Sequence, residues 1–300
     1  MKYLNRSRGR GGLAYRYAKI SAIRQHSNES ITSVSGAPLR RAVIVLLRWT
    51  AYTDKLTAEQ LSQLSAPELM AWAQDTYSHR FAVVTAFQPE GMVLVDMALR
   101  HSPQARIITV DTGRLPQQTY DIMDTVRVHY GVTVEVVMPD KGEVERMVAR
   151  HGLNLFRADP AFRKLCCQVR KVRPLEARLS GSIDAWASGL RREQSPERSA
   201  IKRVEGWGTA RLKINPLADW TRAQVHAYVR EHGVPVHPLL AQGYATVGCA
   251  PCSRAVRPGE DERSGRWWWE TDGGKECGIH VSPDGKMKRT IDVLLEEILH

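Results

Sequence analysis

The sequence predicts an α/β fold, a doubly wound and mainly parallel sheet, from three observations. Short apolar runs rich in β-branched residues alternate with segments of helical periodicity through the middle of the chain, the pattern of βαβ units. Several of these runs end in glycine-containing turns that lead straight into a helix, which presents backbone N–H groups and a helix N-terminus to an anion. The chain is also long enough, at 300 residues and 43% hydrophobic, to bury a large core.

Order is expected from about Leu56. The spacing of Leu61, Leu64, Leu69 and Trp72 predicts helix over Ala58–Trp72, with Pro67 suiting a second helix start after Ser65. Phe81–Ala86 reads as a strand, Phe87–Gly91 as a loop and Met92–Arg100 as a helix. A second strand, Arg106–Asp111, ends in Thr112 and Gly113 before a helix from Pro116 to Tyr130. A third, Thr133–Met138, precedes a helix over Glu143–His151. Phe162–Pro174 reads as helical and holds Cys166 and Cys167 among Lys164, Arg170, Lys171 and Arg173. Ser182–Ala187 is a further strand and opens into Gly189, Arg191, Arg192 and Arg198. Arginines around a glycine turn at a strand end suit an oxyanion, because a guanidinium binds sulfate or phosphate oxygens in pairs. Arg211–Asn215 is the next strand. A helix then starts at Asp219 or Trp220, with Asp219 as its start signal, and stops at Gly233 after His232.

The formal net charge of +11 points to nucleic acid until it is located. Residues 1–50 carry ten Lys/Arg against the single acid Glu29, so only +2 remains for the other 250 residues. The excess lies in a Gly/Ser/Arg-rich leader expected not to fold, and no stable nucleic-acid partner is expected. A transit peptide or an electrostatic arm has this composition, but an upstream start codon is the preferred reading. The apolar run Ala42–Trp49 contains Arg48 and is far short of the about 20 residues that cross a bilayer, so no membrane association is expected.

The cysteines carry the chemistry. All five fall into Cys166-Cys167, the C-x-x-C pair Cys249 and Cys252, and Cys277 in Lys275–His280. Thiolates bind zinc or iron–sulfur clusters, and Gly248 and Pro251 suit the tight turn of a C-x-x-C ligand pair. Adjacent helical side chains diverge by about 100°, which suits a four-iron cluster better than one zinc ion. Buried, unligated thiols are the plain alternative. Cys277, beside Lys275 and His280 and between glycines, has the cationic surroundings that lower a thiol pKa and favour the nucleophilic thiolate. The expected organisation is a leader over 1–50, a nucleotide-binding α/β domain over 51–255, and a mobile catalytic segment over 256–300. Trp267, in a run of three tryptophans, is read as a core anchor.

Taken in order, the chain from about residue 56 to 281 resembles the sulfonucleotide reductases, and within them the iron–sulfur adenylyl-sulfate (APS) reductases. The matching pieces are Phe87–Gly91, Val110–Gly113, Cys166-Cys167 with Lys171, Gly189–Arg192, Lys213–Trp220, Gly248–Cys252 and Lys275–His280. Ile279 stands where leucine is expected. The resemblance implies a sheet of the adenine-nucleotide (PP-loop-like) type with a cysteine-bearing C-terminal tail. It implies one 4Fe–4S cluster on Cys166, Cys167, Cys249 and Cys252. It also implies attack of Cys277 on the sulfur of APS, leaving an S-sulfocysteine that thioredoxin, or a glutaredoxin-like thiol donor, resolves to sulfite. Phe87, Gln88, Gly91, Val110, Asp111, Thr112 and Gly113 are then expected at the adenosine end, with Gly189 at the neighbouring strand end. Lys171, Arg191, Arg192, Arg198, Arg263, Arg266 and His280 are expected on the phosphosulfate.

The family's other branch acts on the 3′-phosphorylated nucleotide, PAPS, and typically lacks the quartet, so the complete quartet favours APS. A tRNA-thiolating enzyme of the same fold is the rival, but Ala86–Met92 lacks the Ser-Gly-Gly type of pyrophosphate loop. A cluster and a reactive thiol both imply a reducing cytoplasm.

Overall fold

A computed structural model describes residues 56–270 and 285–299. The predicted leader over 1–50, Cys277 and His280 lie outside the described residues. Six strands are described: β1 (Phe81–Val84), β2 (Arg106–Val110), β3 (Val134–Val137), β4 (Ala185–Ser188), β5 (Val204–Glu205) and β6 (Leu212–Ile214). They form one sheet in the order β3-β2-β1-β4-β6-β5. Every neighbouring pair is parallel except β5–β6. Val83 stands beside Ile107 on one side and Ala187 on the other. The chain steps outward from β1 through β2 to β3, then returns to place β4 beside β1. The order therefore reverses between β1 and β4, and a crevice opens at their carboxyl ends. The doubly wound, mainly parallel sheet expected from the sequence is the observed one.

The helices are α1 (Ala58–Gln63), α2 (Ala66–Tyr77), α3 (Pro89–His101), α4 (Gln117–Tyr130), α5 (Lys141–His151), α6 (Pro160–Cys167), α7 (Arg173–Ser182), α8 (Arg222–His232) and α9 (Gly285–Leu299). α2 starts as the sequence indicates: Ser65 and Glu68 form a reciprocal capping box, with proline in the first turn. α3 begins three residues earlier than expected, at Pro89. Proline at a helix start loses no needed hydrogen bond, and the buried run Pro89–Leu99 has no polar face to betray the period. α8 starts later than expected. Thr221, not Asp219, is its cap, in a capping box with Gln224, and Asp219 pairs instead with Arg192. β4 is shifted downstream because α7 runs to Ser182. Strand β5 was not anticipated; a two-residue strand carries no periodicity.

α6 passes through a π-helical turn, Gln168–Val172, into α7. Pro174 lacks the N–H that would bond back to Arg170, and the helix widens just before it. Buried Asp96 on α3 accepts hydrogen bonds from the hydroxyls of Tyr130 (3.0 Å) on α4 and Tyr228 (2.9 Å) on α8, which ties three helices together. Val256–Glu270, expected in a mobile tail, is folded over the crevice. Trp267 is 2% exposed there, the core anchor expected of it. α9 was also unforeseen, although Ile291, Leu294, Leu295 and Ile298 follow helical spacing. Ile298 packs with Met147 of α5 and Leu165 of α6, and the Arg146 guanidinium donates to the Ile298 carbonyl. No helix among the described residues is long and apolar enough to cross a membrane.

Candidate active site

A cavity of about 240 Å³ occupies the crevice. Its floor is the loop after β1 and the start of α3, where close backbone approach sets the shape. A side chain at Gly91 would meet Thr85 Oγ1 at 2.3 Å, and one at Gly189 would meet the backbone of Gly91 at 2.9 Å. Only glycine lets the loops after β1 and β4 close on each other. Phe87 has φ +55° and its side chain is buried, so it anchors the loop rather than lining the cavity. Its N–H donates to Thr85 Oγ1 (2.9 Å). Gln88 Oε1 accepts from the N–H of Val247 (2.9 Å), joining this loop to the approach of the C-x-x-C turn.

The loop after β2 forms the second wall. Asp111 does not reach the cavity; its carboxylate accepts from the Gly113 N–H (2.8 Å) and the Tyr120 hydroxyl (3.0 Å) and so folds the turn. Burial, then the bond to Asp111, pushes the Tyr120 hydroxyl up to about 12. Gly113, at φ +70°, supplies the turn without lining the cavity. Thr112 does line it, and its hydroxyl lies 3.2 Å from Cys249 Sγ. Arg170 of the π-helical turn donates to the Thr112 carbonyl (2.9 Å).

The four cysteines meet at this wall although the two pairs are far apart in sequence. Cys166 and Cys252 are buried, and Cys167 and Cys249 are half-buried, in one apolar cluster with Leu165, Val169 and Trp267. All four line the cavity as free thiols. Burial pushes the Cys166 thiol up to about 12, with the neighbouring Cys167, Cys249 and Cys252 adding to the rise and Arg170 opposing it. Burial does the same to Cys252, again about 12, against the charges of Arg266 and Arg114. Holding all four as thiolate ligands in this apolar wall would need a compensating positive centre, such as bound iron. Two donors beside them, Arg170 Nε and the Trp267 indole N–H, are buried without an acceptor among the described residues. Such donors suit an anionic group seated on the thiols, so the donor set fits an iron–sulfur cluster. No group of three or more His, Cys, Asp or Glu among the described residues is set to hold a single metal ion.

Seven cations also line the cavity: Arg114, Arg163, Arg170, Lys171, Arg198, Arg263 and Arg266. Arg266 donates to the Cys252 carbonyl (3.0 Å) and lies flat on Gly248, where any Cβ would sit 2.4 Å from its guanidinium. Trp267, at φ +43°, is held between guanidinia, with Arg163 at 4.2 Å and Arg266 at 4.6 Å from its ring centre. Arg163 is itself 1% exposed and paired with Glu270 through two bonds of 2.7 and 3.0 Å.

Thus Gln88, Gly91, Val110, Thr112, Lys171, Gly189, Arg198, Arg263 and Arg266 line the cavity with the four cysteines. Two expected anion ligands do not. Arg191 is buried beneath the wall against Glu90 (2.8 Å), Glu193 (2.7 Å) and Glu262 (3.5 Å), and Arg192 pairs with Asp219. Their charges are spent on carboxylates from other segments, which sequence order does not disclose. Sequence reasoning missed Arg114, Arg163, Glu90 and Glu262. Arg163 could have been found, since it lies three and four residues before the cysteine pair and so on its helical face.

The comparisons agree with this arrangement. Residues 80–255 match the model of the phosphoadenosine phosphosulfate reductase domain. The chain is 42% identical over 236 residues to the adenosine 5′-phosphosulfate reductase of Burkholderia cepacia, covering 78% of this chain and 92% of that one. It is 46% identical over 198 residues to the adenosine 5′-phosphosulfate reductase of Allochromatium vinosum, covering 65% and 77%. A phosphoadenylyl-sulfate reductase crystal structure from Candida auris, a phosphate complex, superposes with a TM-score of 0.55 at 29% identity, over 67% of this chain and 98% of that one. With its crevice at the β1/β4 switch point and its cysteines along one wall, the chain belongs to the sulfonucleotide reductases, the family of the phosphoadenosine phosphosulfate reductase domain.

Proposed function

We propose that this oxidoreductase reduces adenosine 5′-phosphosulfate to sulfite and AMP, as sulfate assimilation for cysteine synthesis requires. The observation that carries the reading is the meeting of both cysteine pairs beside a cation-lined nucleotide crevice. The names borne by the Burkholderia and Allochromatium relatives support the same substrate.

The substrate joins an adenosine end to a doubly anionic phosphosulfate. The backbone around Gln88, Gly91 and Thr112, with the N-terminus of α3, takes the nucleoside side. Lys171, Arg198, Arg263 and Arg266 hold the phosphosulfate oxygens, joined by His280 in the same reading. The Cys277 thiolate attacks the sulfate sulfur. An S–S bond forms as the S–O bond to AMP breaks, and AMP leaves with that electron pair, its charge met by the cations. A thiolate of the dithiol donor, thioredoxin or a glutaredoxin-like protein, then attacks Cys277 Sγ and releases sulfite with the S–S pair. The donor's second thiol closes its own disulfide and frees Cys277, so the donor supplies both electrons.

Cys166, Cys167, Cys249 and Cys252 would hold one 4Fe–4S cluster. When bound, it supplies an anionic, polarisable body that fixes the cysteine wall and orients the cations around it. The gathering of four thiols at one wall of the crevice supports a cluster. Such thiols need a reducing compartment, which supports a cytoplasmic location.

The test is sulfite release by anaerobically purified protein with thioredoxin and either APS or PAPS, alongside the visible spectrum. Sulfite from APS together with a broad cluster absorption is expected. A colourless protein active on PAPS alone would overturn the reading.

A further inference from the structure

Arg191, placed on the substrate by sequence reasoning, is 1% exposed and lies at the centre of a charge network. Its Nε donates to Glu90 at the head of α3 (2.8 Å), its Nη1 to Glu193 (2.7 Å), and its Nη2 faces Glu262 (3.5 Å). Arg222, at the start of α8, closes the circuit: its guanidinium pairs with Glu262 (3.2 Å) and its N–H donates to Glu193 (2.8 Å). Five charged groups from four separate segments thus meet around Arg191.

Glu262 belongs to a short strap that crosses the cavity. The Asp261 carboxylate accepts the Arg263 N–H (2.8 Å), the Arg266 N–H bonds to the Arg263 carbonyl (2.9 Å), and Arg254 bonds through its N–H to Gly265 (3.0 Å). At one end Arg266 is fixed to Cys252; at the other Glu262 is fixed to Arg191 and Arg222. Arg263 sits between these two pins, and Glu262, Arg263 and Arg266 all line the cavity. Burial pushes the Glu262 carboxyl up, opposed first by Arg222 and then by Arg191, while Glu90 and Glu193 add to the rise.

We propose that Arg191 is a positioning residue: through Glu262 it holds Arg263 in register with the loop after β1, so that nucleotide and anion are gripped at a fixed separation. This rests on the functional reading above, and it assigns Arg191 to the placement of a cation instead of to the substrate.

A double-mutant cycle tests it. Binding of APS and of AMP is measured by calorimetry on cluster-loaded protein carrying Cys277→Ser, so that no turnover occurs. Arg191→Lys keeps a buried charge but cannot hold three carboxylates at once. It should weaken APS binding about tenfold, the scale of one charged hydrogen bond, with AMP binding changed less than about twofold. In an Arg263→Ala background the same substitution should cost APS binding nothing further, because a residue acting through Arg263 has nothing left to position. Glu262→Gln should reproduce the pattern. Additive losses, or an equal fall in APS and AMP affinity, would overturn the proposal while leaving the enzyme's function standing. A parent protein that binds neither nucleotide would overturn the functional reading and this inference with it.

Discussion

The Arg163–Glu270 pair is the place where a small chemical change has the largest calculable effect. The two side chains are 1% and 5% exposed, joined by two hydrogen bonds, with the guanidinium 4.2 Å from the Trp267 ring centre. Replacing Glu270 by leucine removes the carboxylate that pairs with a fully desolvated arginine. Breaking one side of a buried pair costs about 3–5 kcal/mol, because the remaining ion stays desolvated and loses the carboxylate that matched its charge. A chain of this size loses about 2–4 °C of Tm per kcal/mol, so Glu270→Leu should melt about 6–20 °C lower at a fixed scan rate. The double variant Arg163→Met with Glu270→Leu should recover most of that loss, since apolar groups of similar volume need no partner. Thermal denaturation followed by far-ultraviolet circular dichroism, on parent, both singles and the double, measures all four values. A single-mutant loss under about 1 kcal/mol, or a double variant that loses the sum of the singles, would refute the argument that desolvation governs this pair.

Other outcomes follow from the site. Cys249→Ser should lose the cluster absorption and sulfite formation, whereas Cys277→Ser should keep the colour and lose the activity; sulfite assays with visible spectra separate the two. Gly189→Ala drives a methyl group into the Gly91 backbone at 2.9 Å, so nucleotide affinity should fall, with about 1–3 kcal/mol of stability, in calorimetry and urea unfolding. Gly248→Ala should displace the Arg266 guanidinium from 2.4 Å and raise the KM for APS about tenfold with little change in cluster content. Glu135 is held below its ordinary value of 4.5, first by its hydrogen bonds from Arg106, which are part-buried at 2.6 and 2.9 Å. A lowered carboxylate stabilises the fold above pH 4.5 and loses that contribution as pH falls through the folded-state value. Glu135→Gln should therefore flatten the acid limb of a stability-against-pH curve and leave its shape above pH 6 unchanged.

Much of the fold was legible because it rests on local signals. Phe81–Val84, Arg106–Val110 and Val134–Val137 announce themselves by β-branched residues between turn formers, and Ser65 and Gly233 mark helix ends by capping chemistry. The errors fall where local signal is weak or misleading. The head of α3 was hidden because the helix is buried all round. Asp219 has the chemistry of a cap but is used by Arg192, and β5 is too short to show a period. In the site, backbone-forming and cavity-lining residues look alike in sequence. Phe87, Asp111 and Gly113 shape the two loops from behind, while Gln88, Gly91 and Thr112 face the cavity.

The sequence by itself determined most of the strands and helices, the glycine-bearing strand ends and the two cysteine pairs, because each depends on neighbours a few residues apart or on residue type alone. Only the tertiary structure decided the division of labour among the arginines. Arg191, Arg192, Arg198, Arg263 and Arg266 are chemically identical, and their roles depend on which carboxylates the fold brings within about 3 Å. Glu262 lies 71 residues from Arg191, and Glu270 lies 107 from Arg163, distances at which chain order carries no information about contact. Burial then separates them: Arg191 meets carboxylates inside the protein and acts as a strut, whereas Arg198, Arg263 and Arg266 face the crevice.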